Sequence, residues 1–155
     1  VNDAAERLHP AGLGRPIHAV GAVVYRQTAA GRFDVLLIRK RAGFWTLPKG
    51  RIKRSEAAAD AVLREVAEET GVHGAVRAVV AQVRYLTPRR RPPREKQVTY
   101  FLVTALGGVL RPNADEAIVG VRWFSVRAAW QRISRRRVRR VLRQAARVLA
   151  GLIHG

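Results

Sequence analysis

The sequence predicts an α/β chain of the α+β kind, strands and helices in one domain, and three observations predict it. Apolar, β-branched runs of strand length recur, as in HAVGAVVYR at residues 18–26 and IVGVRWF at residues 118–124. The stretch 56–70 is rich in helix formers and free of Gly and Pro. The last helix shows itself by period: Val138, Val141, Leu142, Ala145, Val148, Leu149 and Leu152 follow the i, i+3, i+4, i+7 rule, with arginines on the other face.

In chain order, residues 1–17 read as a loose lead-in with Pro, Gly and mixed charge, and residues 18–155 as the domain. Strands over 18–26 and 34–39 flank a turn at 27–32 containing Gly31, which makes a hairpin. Residues 42–55, with Gly43, Pro48 and Gly50, read as loop. A helix over 56–70 has Ser55 at its natural cap and Gly71 at its stop. Strands over 75–86 and 97–105 are separated by the basic segment TPRRRPPREK. A strand over 118–124, a short helix over 126–133 and an amphipathic helix over 135–152 complete the chain.

The chain has 155 residues, and 48% of them are apolar, enough for a core. Without Cys it has no disulfides, thiolate metal sites or thiol nucleophiles, and a reducing cytoplasm is expected. The longest uncharged stretch, 97–110, is too short for a membrane span, which needs about 20 apolar residues. The opening VNDAAERLHPAGLGRP lacks the apolar segment of a signal peptide. The net charge of +19 favours polyanions: nucleotides, polyphosphates, nucleic acid or acidic membrane surfaces. Arg outnumbers Lys 26 to 4, which base composition in the genome would also produce. Eight arginines lie between Arg132 and Arg147, and Arg89, Arg90, Arg91, Arg94 and Lys96 crowd one loop. The apolar stripe of the last helix is expected to pack on the domain. Its basic face leaves nucleic acid or a membrane surface as the alternative use.

The acids break the pattern. Only 11 occur, and Glu56, Asp60, Glu65, Glu68 and Glu69 fall within fourteen residues. On a helix, Glu65 is i, i+3 to Glu68 and i, i+4 to Glu69, so the three share a face. They repel one another, and they sit in a last turn whose dipole disfavours anions. A hard divalent cation with oxygen ligands reverses both penalties. The competing reading is a solvated acidic face balanced by arginines, with Arg64 paired to Glu68.

The order of residues decides between them. Gly50, five residues, Glu56, seven residues, then Arg64–Glu65–Val66–Ala67–Glu68–Glu69–Thr70–Gly71–Val72 resembles, at every defining position, the box of the Nudix hydrolases. The flanking DVLLIRK, GFWTLPKG and VRWF agree, and the resemblance covers about residues 18–133. It implies a mixed sheet sandwiched between helices, here with an extra basic C-terminal helix. It also implies Mg²⁺-dependent hydrolysis of a phosphoanhydride in a nucleoside diphosphate-linked substrate, with Mn²⁺ as a substitute ion. By the same resemblance Glu65, Glu68 and Glu69 match metal ligands, Arg64 matches the arginine that orients a box glutamate, and Glu56 matches a supporting glutamate. Gly50 and Gly71 match the glycines at the two loop–helix junctions. Glu116 matches the extra carboxylate some members take from a later loop, or else is an ordinary loop acid. Arg51, Lys53 and Arg54 depart from the acid and Gly that relatives often carry there, and make the loop cationic.

GFWTLPKG and QVTYF resemble the diadenosine polyphosphate hydrolases, which makes such substrates the leading expectation. Lys49, Arg51, Lys53 and Arg54 would meet phosphates, and Tyr85 or Tyr100 adenine, each competing with a place in the core. Oxidised nucleoside triphosphates, nucleotide sugars and RNA 5′ ends are the alternatives. His9, His18, His73 and His154 show no ligand spacing, and the sequence leaves the oligomeric state open.

Overall fold

The computed structural model describes residues 12–153 apart from 88 and 90. The elements are β1 (Gly14–Gln27), β2 (Phe33–Lys40), β3 (Trp45–Thr46), β4 (Lys49–Arg51), α1 (Ala58–Thr70), β5 (Val72–Leu86), β6 (Arg94–Gly108), a 3-10 turn (Ala114–Glu116), β7 (Ile118–Ser125), α2 (Val126–Arg132) and α3 (Arg136–Ile153). The strands form one mixed sheet. β1 lies at its centre and runs parallel to β6, while every other pairing is antiparallel.

Alternation in β1 explains the layers. Ala19, Val23 and Tyr25 point to one face, and Val20, Ala22 and Val24 to the other. Both sets are buried, as a strand covered on both sides requires. The first face packs against α2 and α3 through Ala129, Ile133, Val138, Val141, Leu142, Ala145 and Leu149. The second packs against α1 through Ala61, Val62 and Val66. The expected mixed sheet between helices is therefore observed, and the apolar stripe of the last helix does pack on the domain. Leu152 at its end is half exposed.

Several boundaries move. β1 starts at Gly14, inside the expected lead-in, because Gly14 donates to Pro93 and pairs with Arg94. The rest of that lead-in, to residue 11, lies outside the described residues, as do Arg90 and His154. The expected loop over 42–55 holds two short strands, β3 on β2 and β4 on β1. Arg94 and Lys96, expected in the basic loop, belong to β6. α1 starts two residues later than expected. Its N-cap is Ala57, with no side-chain cap, while Ser55 takes the left-handed conformation at φ 64° in the turn before it. No described helix is long and apolar enough to cross a membrane.

Candidate active site

α1 carries the acids to the edge of the sheet beside β4. Gly50 in β4 lies so close to the Glu65 carboxylate that a Cβ at this position would overlap it. Its hydrogen is what lets the carboxylate lie flat on the strand. At the other end of the helix Gly71 ends α1 in the left-handed conformation, φ 81°, with its N–H on the Ala67 carbonyl. A Cβ there would meet the Val109 carbonyl, since the segment after β6 crosses close by, and Arg111 donates to the Thr70 carbonyl at 2.9 Å.

Arg64 organises the acids. Its Nε and Nη2 grip Glu56 through both oxygens at 2.8 and 3.0 Å, and Nη2 also donates to the Arg51 carbonyl at 3.0 Å. Its Nη1 reaches Glu65 at 2.8 Å and Glu68 at 3.1 Å. Glu56 accepts the Lys53 backbone N–H as well. The Arg64 hydrogen bonds, then that N–H, hold the Glu56 carboxyl down at about 2. Glu56 is thus a bracket before the helix, and Arg64 joins it to Glu65 and Glu68.

The expected trio divides. Glu65 and Glu69 are buried, 8% and 2% exposed, and face each other closely enough to repel. Glu68 turns outward to Arg64, its side chain 43% exposed. Among the described residues no three acid or histidine side chains converge as a metal cage. Glu69 is the strained member. Burial, then Glu65, push its carboxyl up to about 8, and the Lys40 charge, then the Lys49 backbone N–H, oppose the shift. Its Oε2 is buried and has no hydrogen-bond partner. Glu116 is exposed on the rim. Its loop is tied to α1 by Asn113 donating to the Glu68 carbonyl at 3.2 Å, and to β2 by Lys40 donating to the Glu116 carbonyl at 3.0 Å. Its charge is felt at Glu69.

Beside Glu69 lies a cationic cluster. Lys49 donates to the Tyr85 hydroxyl at 3.2 Å, and the Arg137 guanidinium covers the Tyr85 ring at 3.7 Å from its centroid. Burial, then Arg135, Arg137 and Lys40, lower the Lys49 ammonium to about 8. Lys96 is lowered by burial and by Lys49. The structure therefore brings Lys49 and Tyr85 together, and Arg51 lies near enough to Lys96 to act on it. Lys53 and Arg54 are exposed on the turn around Glu56, away from this cluster. Tyr100 is 4% exposed and so is closed to adenine, and one face of Tyr85 is taken by Arg137. Trp45 packs edge-on against Phe124. His18 and His73 are exposed, whereas His9 lies outside the described residues. Sequence reasoning missed Arg135, Arg137 and Lys40. The first two were read only as part of a helix face, and the turn that brings them to β4 has no local signature.

The frame of the site is thus a mixed sheet between helices, with a glycine-cradled acidic helix beside a cationic cluster. The NUDIX domain model matches residues 15–145, and the chain belongs to that family. The match extends past the expected limit into α3. The MutT4 protein of Mycobacterium tuberculosis is 37% identical over 106 residues, covering 67% of this chain and 40% of the relative. The 8-oxo-(d)GTP phosphatase of Mycolicibacterium smegmatis is 31% identical over 137 residues, covering 83% and 41%. The chain thus spans about two fifths of these relatives. Among solved structures, an Ap4A hydrolase from C. elegans superposes with a TM-score of 0.73 at 22% identity, covering 87% of this chain and 98% of that one, which is a likeness of fold.

Proposed function

We propose that this chain hydrolyses a phosphoanhydride bond in a nucleoside diphosphate-linked substrate, at the cleft between Glu69 and Lys49. The observation that carries the reading is the buried, unpartnered Oε2 of Glu69 beside Glu65, next to a cationic cluster.

Nudix hydrolases generally use divalent ions such as Mg²⁺, and the residues fit one. A buried carboxylate oxygen without a donor, against a second buried carboxylate, is a costly arrangement that a hard cation relieves. Glu65 and Glu69 would hold Mg²⁺, or Mn²⁺ in its place, with Glu68 at the exposed edge. When bound, the ion neutralises phosphate charge and lowers the pKa of attacking water. The chain's own residues do the rest. Arg64 fixes Glu65 and Glu68 in place. Lys49, Lys96 and Arg137 supply donors to phosphate oxygens, and their mutual repulsion is relieved when an anion arrives. Glu116, whose charge is felt at Glu69, is the further carboxylate this reading assigns to the site.

The sequence around β4 and the run of cations favour a dinucleoside polyphosphate as substrate. A second reading is an oxidised nucleoside triphosphate. The M. smegmatis relative and one from Bacillus subtilis, also 31% identical, carry 8-oxo-dGTP activities in their names. Purified protein with Mg²⁺, assayed against a nucleotide panel with products identified by mass spectrometry, separates them. Mononucleotide products from diadenosine tetraphosphate are expected. Turnover of 8-oxo-dGTP alone removes the dinucleoside reading, and no turnover of any nucleotide removes the hydrolase. Glu69→Gln is expected to lose well over tenfold, because metal-bound charge stabilisation is worth several kcal/mol.

A further inference from the structure

A groove of about 480 Å³ runs between β5 and α3. Its floor includes Val80 and Val141, and Arg84, Arg137, Arg140 and Gln144 stand around it. Neither β5, α2 nor α3 contains an acid, and among the described residues no ion pair engages Arg84, Arg137 or Arg140. The groove is connected to the catalytic cleft through one side chain. Arg137 lines the groove and also covers Tyr85, whose hydroxyl holds Lys49 beside Glu69.

The composition of this groove is that of a nucleoside site. An apolar floor accepts the face of a base, an amide reads its edge, and arginines at the rim take phosphate or ribose oxygens. From Arg137 to Gln144 the helix advances about 10 Å, and the volume is that of a small-molecule pocket. Such a bounded space suits one nucleoside better than a polynucleotide.

We infer that the β5–α3 groove seats the second nucleoside of a dinucleoside polyphosphate, with Arg137 holding the connecting phosphates where groove and cleft meet. This rests on the proposed hydrolase reading and extends it, since it gives the non-reacting half of the substrate a place. It also explains why Arg137 lies on Tyr85: the guanidinium occupies the path that phosphates would take and can swing to them.

The test is calorimetric binding to the full chain with Mg²⁺, using methylene-bridged, non-hydrolysable analogues of diadenosine tetraphosphate and of ATP. The wild type should bind the dinucleoside analogue at least tenfold more tightly. Arg140→Glu, which reverses a rim charge, and Gln144→Trp, which fills the groove, should each reduce that advantage at least fivefold. Both positions are exposed, and thermal melts check that the variants fold. Equal binding of the two analogues, or an advantage that survives both variants, overturns the inference. A short oligoribonucleotide that binds more tightly than the dinucleoside analogue, with the same sensitivity to both variants, also overturns it and gives the groove to nucleic acid. Turnover of unmodified diadenosine tetraphosphate is measured alongside. Its absence removes the dinucleoside substrate and not the hydrolase, while a dinucleoside advantage lost in both variants still supports the groove as a nucleoside seat.

Discussion

Gly50→Ala is the smallest change that tests the geometry of the acidic pair. The added methyl has no backbone cost, since Gly50 is outside the positive-φ region. Its only effect is steric, because the Cβ would overlap the carboxyl carbon and both oxygens of Glu65. Non-bonded carbons settle at about 3.5–4.0 Å, so the carboxylate must retreat by about 1 Å or more. It has little freedom to do so, being buried and held by Arg64 at 2.8 Å. Overpacking of this kind costs about 1–3 kcal/mol, which for a chain of this size lowers Tm by about 2–12 °C. A 1 Å misplacement of a catalytic group costs roughly a hundredfold in rate. The matched control is Gly107→Ala, where a Cβ meets nothing within 4 Å. Thermal melts and Mg²⁺-dependent turnover should show both losses in the first variant and neither in the second. Wild-type turnover by Gly50→Ala would mean that the Glu65 carboxylate has no required position against β4, and the site as described would be wrong.

Lys49→Met should stabilise the fold while weakening nucleotide binding. The ammonium sits at about 8 instead of 10.5, a penalty of at most about 3 kcal/mol, and partial exposure and the lost Tyr85 bond reduce the net gain to about 1–2 kcal/mol. Because the folded pKa is depressed for a cation, that gain is complete below pH 8 and shrinks as pH rises towards 10.5, which melts across that range will show. Glu56 gives the opposite dependence. Its carboxyl is held at about 2, so its contribution is complete above the ordinary carboxylate range near 4.5 and is lost as pH falls towards 2. Acid titrations of Glu56→Gln should therefore lack part of the wild-type drop in that window, and identical curves would contradict the bracket. Ser55→Gly relieves a left-handed serine and should raise stability by up to about 1 kcal/mol, read from denaturant melts. An unchanged or lower midpoint would count against strain in that turn.

How much was legible in the sequence follows from how local each signal is. The strand cores, α1 and the α3 stripe show because burial imposes a period, and a period survives in one dimension. The β3 and β4 pairings do not show, because strands of two and three residues are made by their partners. The missed helix start has a specific cause. Ser55 has a cap-forming side chain, yet the Arg64 grip on Glu56 pulls the chain into a tight turn, and the helix begins two residues on, with Ala57 uncapped. The box spacing correctly brought Glu65, Glu68 and Glu69 to neighbouring positions. It did not show that β4 would bury two of them and leave the third to Arg64, because that depends on which side of the helix faces the sheet. Arg135 and Arg137 were hidden for a similar reason: their role comes from where α3 begins relative to β4 and β5.

The Arg64 network also explains which atom is left to function. A guanidinium has five N–H donors, and here each has a partner: two on Glu56, one on Glu65, one on Glu68 and one on the Arg51 carbonyl. None remains for Glu69, which sits one turn beyond Glu65 and is the more deeply buried of the two. The cost of crowding carboxylates on one helix end is therefore not shared evenly. Arg64 compensates two of them, Glu65 and Glu68, and the remaining strain collects on Glu69 Oε2, the oxygen with no donor. In a chain of net charge +19 with free arginines nearby, such an orphan is easily relieved by a mobile side chain. The cations that come closest instead engage Tyr85 or the Glu116 carbonyl. On the proposed function, a metal–phosphate ligand would answer both at once, its cation satisfying the acid and its anion Lys49 and Arg137. A metal ion alone or a nucleotide alone answers only half of that imbalance, so the two should bind with positive coupling.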